Sequence, residues 1–215
     1  EALYTVEDVE KTLEHFINVH EGQWFDLQNG TKARWQYNGH IIGATFIELD
    51  VCGKIIVFSG DIGREDDLLL EKPKRPQKAD VLLVESTYGD RLHIEEDVEN
   101  LLIDIIQKTY KKGGNLIIPS FAVERTQTLM YILWKLQERN AIPKMPMVMD
   151  SPMGANVWGI FERYSEWQKL THKEFDAISR AFTITTSYKE TWETIDDKRP
   201  KVIIAGSGMI TGGRV

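Results

Sequence analysis

The feature that most limits the possible folds is a change of hydrophobic rhythm near residues 85–90. Before it, short runs come in pairs around turn signals. Trp24-Phe25-Asp26-Leu27 and Arg34-Trp35-Gln36-Tyr37 flank Asn29-Gly30, and the runs 44–51 and 54–59 flank Cys52-Gly53. Both arrangements read as β-hairpins. A helix precedes them, because Val6, Val9, Leu13, Phe16 and Ile17 have helical spacing over 6–18, with Thr5 as cap and Asp8 three residues on.

From Asp80 the rhythm becomes strand, then helix. Val81-Leu82-Leu83-Val84 is a continuous apolar run, expected for a buried strand. Helical patterns follow over 98–110, 126–137 and 155–168, and strands over 116–118, 147–149, 182–185 and 202–205. Such alternation predicts an α/β fold with a mostly parallel sheet flanked by helices. The expected division is 1–88 and 89–215. A glycine-rich turn after a strand, Gly212-Gly213-Arg214-Val215, should lead into a helix, so the chain is expected to be a truncated piece.

Composition excludes several classes. No apolar run approaches the roughly 20 residues a membrane span needs, and Glu1-Ala2-Leu3-Tyr4 has no signal-peptide pattern. A single cysteine, Cys52, rules out an internal disulfide and a Cys-rich zinc module, and a reducing cytoplasm is expected. The net charge of −7 does not advertise nucleic-acid binding, although a local basic patch can act within an acidic whole. The one basic cluster, Lys72-Pro73-Lys74-Arg75-Pro76-Gln77-Lys78, reads as a solvated connector.

His40 precedes one strand of the second hairpin and Asp61 follows the other, so both are expected at the same open end. An imidazole and a carboxylate there suit a divalent metal. A hydrogen-bonded pair is the alternative, and on these two residues alone both stay open. A second candidate lies where parallel strands end. Ser120, Asp150 and Gly206 all follow strands, and ligands gather at such ends. Ser120 leads into a helix start with Arg125 in its first turn, suited to a phosphate. Pairing of Arg125 with Glu124 is the competing reading. Ser207, Gly208 and Arg214 belong to a glycine-rich turn that either cradles phosphate or is a plain sharp turn. The stripe of Leu129, Met130, Trp134 and Leu136 is expected to be a helix core face, and Trp158, Phe161, Tyr164 and Trp167 are expected in core or domain-interface packing, with base stacking as the alternative. His93 and His172 are expected to be exposed.

Taken in order, Gly39-His40-Ile41-Ile42-Gly43-Ala44, Phe58-Ser59-Gly60-Asp61, Val84-Glu85-Ser86-Thr87-Tyr88-Gly89, Pro119 to Gln127, Asp150-Ser151-Pro152-Met153 and Gly206 to Val215 resemble the motifs of β-CASP ribonucleases of the metallo-β-lactamase superfamily. The family includes the cleavage and polyadenylation specificity factor nuclease and prokaryotic relatives. The resemblance implies a partial αββα metallo-β-lactamase sandwich followed by a β-CASP domain. It implies two zinc ions acting on an RNA phosphodiester, Asp61 bridging both, His40 binding one, and Glu85 orienting a catalytic histidine. RNA is the implied partner, with no membrane, and a homodimer is a further expectation for the whole protein. The His-x-His-x-Asp-His motif is absent: among His15, His20, His40, His93 and His172 no two are separated by one residue. Two ligands hold a catalytic zinc poorly, so this polypeptide alone is expected to be inactive. The rival expectations are a non-catalytic RNA-binding or scaffold member, and a DNA or small-molecule hydrolase on the same fold.

Overall fold

The structure, a computed structural model, describes residues 3–92, 97–208 and 210–214. The chain divides into two compact units. The first comprises the residues up to His40 with 44–62 and 73–85, and the second comprises 41–43, 63–72 and the chain from Ser86 onward.

The first unit opens with α1 (Val6–Leu13), capped reciprocally: the Asp8 amide donates to Thr5 Oγ1 and the Thr5 amide to the Asp8 carboxylate. The helix stops well short of residue 18. The His15 and Phe16 amides turn back to Thr12 and Leu13, and Val6, Leu13, Phe16 and Ile17 are all exposed. A two-turn helix without tertiary burial has little to extend it.

Five strands follow in sheet order β1-β2-β3-β4-β5: β1 (Trp24–Asp26), β2 (Lys32–Tyr37), β3 (Thr45–Val51), β4 (Lys54–Phe58) and β5 (Val81–Leu83). The first three pairings are antiparallel, which bears out both hairpins, and β5 runs parallel to β4. Cys52 and Gly53 both have positive φ (52° and 80°), the left-handed pair that matches hairpin twist. Register sets Arg34 opposite Glu48. Arg34 Nε donates to Glu48 Oε2 at 2.6 Å, Gln36 donates to the same oxygen at 3.0 Å, and the guanidinium lies 4.5 Å from the Trp24 ring centroid. This network satisfies a carboxylate that is only 2% exposed.

The expectation that β5 is buried is corrected. Val81, Leu82 and Leu83 are 52%, 53% and 48% exposed. Among the described residues the strand pairs with β4 alone and forms the sheet edge. An unbroken apolar run identifies a strand buried on both faces only where layers cover both faces.

In the second unit α2 (Val98–Lys111) leads to β6 (Leu116–Ser120), α3 (Arg125–Glu138), β7 (Met147–Asp150), α4 (Pro152–Arg163), α5 (His172–Ala181), β8 (Phe182–Thr185), α6 (Tyr188–Asp196) and β9 (Val202–Gly206). The sheet order is β6-β9-β7-β8 and every pairing is parallel. The last strand therefore inserts between the two earlier ones. The core is built from Met130, Leu133 and Leu136 of α3, Met147 and Met149 of β7, Trp158 and Phe161 of α4, Ile178 of α5 and Ile204 of β9. Leu129 and Trp134 pack against it partly buried, as the apolar stripe predicts. Trp158 stacks on Phe175 at 4.3 Å between centroids and donates its indole N–H to Ser179. Tyr164, expected in core or domain-interface packing, is 45% exposed at the C-cap of α4, which ends at Arg163. His172 is exposed at the start of α5, and His93 lies outside the described residues.

Candidate functional site

Two clusters of polar residues stand out, one in each unit. In the first, the loop between β2 and β3 closes on itself: the Asn38 amide donates to the Ala44 carbonyl, and the Asn38 side chain both donates to the Ser59 carbonyl (3.2 Å) and accepts from the His40 amide (3.2 Å). Gly60, at φ 56°, lies against this side chain; a Cβ there would stand 3.3 Å from Asn38 Nδ2. Asn38 and Ser59 are buried, so the clamp is rigid and polar groups are satisfied within it. His40 and Asp61 both extend from the clamp, with His40 Nε2 3.7 Å from Asp61 Oδ2.

Glu85 joins the same edge. Its amide donates to Ser59 Oγ (3.0 Å), and its carboxylate accepts the Ile62 amide (2.7 Å), immediately after Asp61. Residues 45 positions apart in the chain thus share one end of the β-sheet through Ser59. His40 and Asp61 are two oxygen and nitrogen donors in metal-ligand proximity, but a catalytic zinc needs three protein ligands and a structural one four. Among the described residues no group of three or more His, Cys, Asp or Glu side chains comes together. The two fit a share of a metal centre.

In the second unit, the carboxyl ends of the parallel strands carry a buried polar row: Ser120, Asp150, Ser151 and Thr185. Thr185 donates to Asp150 Oδ1 at 2.8 Å and Thr191 to the same oxygen at 3.1 Å. Ser120 is buried; its hydroxyl bonds to the Phe121 carbonyl and accepts from Thr126. Between β6 and α3 the backbone makes a γ-turn centred on Glu124 (φ 64°, ψ −57°), with the Arg125 amide donating to the Val123 carbonyl at 2.8 Å. That conformation is strained for a side-chain-bearing residue. The Glu124 carboxyl is buried with neither oxygen hydrogen-bonded in ordinary geometry. Burial first, and then the Asp67 carboxylate, push its pKa up to about 8, against a smaller pull from the Ile42 amide. Arg125 is exposed, in the first turn of a helix whose preceding residue makes no side-chain cap.

The glycine-rich turn folds on itself. The Ser207 amide donates to the Ser120 carbonyl, Ser207 Oγ to the Gly212 carbonyl, the Thr211 amide to Gly208 and the Arg214 amide to Gly206. Arg214 turns its guanidinium onto the end of β8: it donates to Thr191 Oγ1 (2.8 Å) and the Thr186 carbonyl (3.1 Å), and lies 4.2 Å from the Tyr188 ring centroid. Of the five expected phosphate contacts, Arg125 and Gly208 are exposed, Ser120 is buried, and Ser207 and Arg214 are engaged within the turn and its neighbours.

The Beta-Casp domain family matches residues 126–215. A ribonuclease of Thermus thermophilus (TTHA0252) is 34% identical over 100% of this chain, which spans 51% of that relative. Cleavage and polyadenylation specificity factor 73 of Drosophila melanogaster is 30% identical over 98% of this chain and 31% of its own length. Transcription termination factor FttA of Pyrococcus abyssi is 31% identical, with 98% and 34% coverage. The chain belongs to the β-CASP family. It spans about half the length of the bacterial relative and about a third of the other two.

Within the second unit, reasoning from sequence named Glu124 only as a partner for Arg125 and missed Thr185, Thr191 and Tyr188. Glu124 carries no sequence signal beyond its place between a strand and a helix. Tyr188 could have been found: Ser187 and Glu190 form a capping box that announces α6 and puts Tyr188 at its first position. No helix among the described residues is long and apolar enough to cross a membrane.

Proposed function

We propose that this chain is part of a metal-dependent hydrolase of RNA phosphodiesters, with 1–88 belonging to the metallo-β-lactamase domain and 89–215 to the β-CASP domain. The observation that carries the reading is the 3.7 Å approach of His40 to Asp61 with the Glu85 carboxylate bonded one residue beyond Asp61. His40 and Asp61 supply two ligands of a zinc centre completed by donors from elsewhere in the whole protein, and Glu85 orients a neighbouring ligand. Ser120, Arg125, Ser207, Gly208 and Arg214 make the RNA-facing edge, with Arg125 the exposed cation and Arg214 acting through Tyr188. The relatives named as ribonuclease and cleavage factor support RNA as substrate. A cytoplasmic location is supported by the lone free Cys52. A homodimer of the whole protein is a matter for sedimentation.

A second reading is a non-catalytic RNA-binding scaffold of the same family. Expression within the full reading frame separates the two. The nuclease reading expects zinc-dependent RNA cleavage that falls at least about a thousandfold in Asp61→Ala, and the 215-residue chain alone is expected to show none. A full-length protein that binds RNA yet never cleaves it, whatever the metal, would favour the scaffold.

A further inference from the structure

Because the β-CASP sheet is parallel throughout, all four strands deliver their following loops to one edge. After each strand, in the loop or in the first turn of the following helix, a large apolar side chain is exposed. Phe121 follows β6 and is 56% exposed; Met153 follows β7 at 61%; Tyr188 follows β8 at 73%; Ile210 follows β9 at 70%. The opposite edge is different. There Ile142 and Met145, which precede β7, are buried, and none of residues 112–115, 142–146 or 198–201 is an exposed large hydrophobic. Exposed apolar side chains also lie elsewhere in the unit, Tyr110 of α2, Ile117 of β6 and Ile160 of α4 among them, but these four follow the four strands at the edge where the polar row and the uncapped start of α3 lie. Exposed apolar side chains set among polar ones along one sheet edge suit a binding surface.

Its chemistry indicates what binds. Tyr188 has a guanidinium against its ring: Arg214 sits 4.2 Å from the centroid and is fixed there by Thr191 and the Thr186 carbonyl. Even so, the tyrosine stays largely exposed. Trp192, four residues on and 62% exposed, continues the same face of α6. Arg125 adds an exposed cation at the other end of the row. Four strands spaced at about 4.8 Å make a row roughly 15 Å long. Exposed aromatic faces with the Arg125 cation at one end of the row suit a polyanion that carries its own flat π-systems, while Arg214, 12% exposed and 3.9 Å from Asp150, braces the Tyr188 ring from behind. Unpaired bases meet that description, whereas duplex bases hide their faces.

We propose that Tyr188, backed by Arg214, and Phe121 form a base-stacking platform for single-stranded RNA along the carboxyl edge of the β-CASP sheet. The proposal rests on the RNA reading above and adds to it the contacts that hold bases rather than phosphates. Stacking is indifferent to base identity, so the platform lends affinity with little sequence preference.

The test is fluorescence anisotropy with the 215-residue chain and two probes: a labelled oligoadenylate of about twelve nucleotides and an abasic ribose-phosphate strand of equal length. Tyr188→Ala and Phe121→Ala are expected to weaken oligoadenylate binding about 5- to 100-fold each and to leave abasic binding unchanged. Tyr188→Phe is expected to keep wild-type affinity. The salt dependence is expected to be unaltered in Tyr188→Ala, whereas Arg125→Ala flattens its slope by about 0.7. Both side chains are exposed, so circular dichroism should match the wild type. Unchanged oligoadenylate affinity in both alanine variants would overturn the platform while leaving RNA binding in place. If the wild-type chain binds neither strand, the RNA reading falls, and the platform with it. Self-association of the chain that disappears in the variants would assign the row to a contact between copies and overturn the proposal.

Discussion

Glu124 and Arg125 are neighbours in the chain and opposites in environment: the carboxyl is buried without a hydrogen-bond partner, and the guanidinium is in solvent. The γ-turn between them sends the two side chains apart, so the ion pair that would occupy Arg125 does not form. The cation stays available at the helix start, and the cost is borne by a carboxyl that takes up a proton instead of an arginine.

That cost has a sign. The folded-state pKa of Glu124 lies at about 8, above its ordinary 4.5. The native state binds more protons than the unfolded state between those values, so stability present at pH 4.5 is lost as pH rises to about 8. Glu124→Gln removes the titration. The variant is expected to gain stability over the wild type with rising pH, by up to about 5 kcal/mol at pH 9. Urea midpoints at pH 5, 7 and 9 read it out, and parallel profiles for the two proteins would refute it.

The Arg34–Glu48 pair is the corresponding feature of the first unit. Glu48 is almost fully buried and accepts from both Arg34 and Gln36. Arg34→Ala leaves that carboxylate without its charge partner and is expected to destabilise by about 3 kcal/mol. An Arg34→Met/Glu48→Leu double variant is expected to recover most of the loss, since apolar replacements of similar volume dispense with both charges. A double variant less stable than Arg34→Ala would show that the pair contributes net attraction. Chemical denaturation followed by tryptophan fluorescence measures both.

Gly213 holds the turn after β9 by having no side chain. At φ 108°, its missing Cβ would lie 2.2 Å from the Gly206 carbonyl oxygen. Gly213→Ala is expected to cost about 2–4 kcal/mol and to free Arg214 from Tyr188, because the Arg214 amide is tied to that same carbonyl. Thermal unfolding gives the cost, and a wild-type melting curve would contradict the steric argument.

Local chemistry was the legible part of this fold. Asn29-Gly30 and Cys52-Gly53 announce their hairpins because positive φ is written in the residue types. The rhythm from Asp80 announces a parallel sheet, and the strands fall where the apolar runs are. Helices α5 and α6 went unread because so few of their residues face the core, Phe175 and Ile178 in α5 and none fully buried in α6, although both open with capping boxes. Long-range order was not legible: nothing in Val202 to Gly206 says that the last strand slips between β6 and β7. The approach of His40 to Asp61 followed from hairpin logic, while the inward turn of Arg214 depended on where Thr191 lay, a matter of tertiary packing.

The half-exposed valine and leucines of β5 bear on how the molecule behaves in a tube. A strand hydrogen-bonded on one side and greasy on both faces is a template, and any extended apolar segment that meets it can be recruited. Behaviour in dilute and concentrated samples should therefore differ. A lysine at position 82 or 83 would act as a gatekeeper, keeping the ribbon soluble while leaving its hairpins untouched.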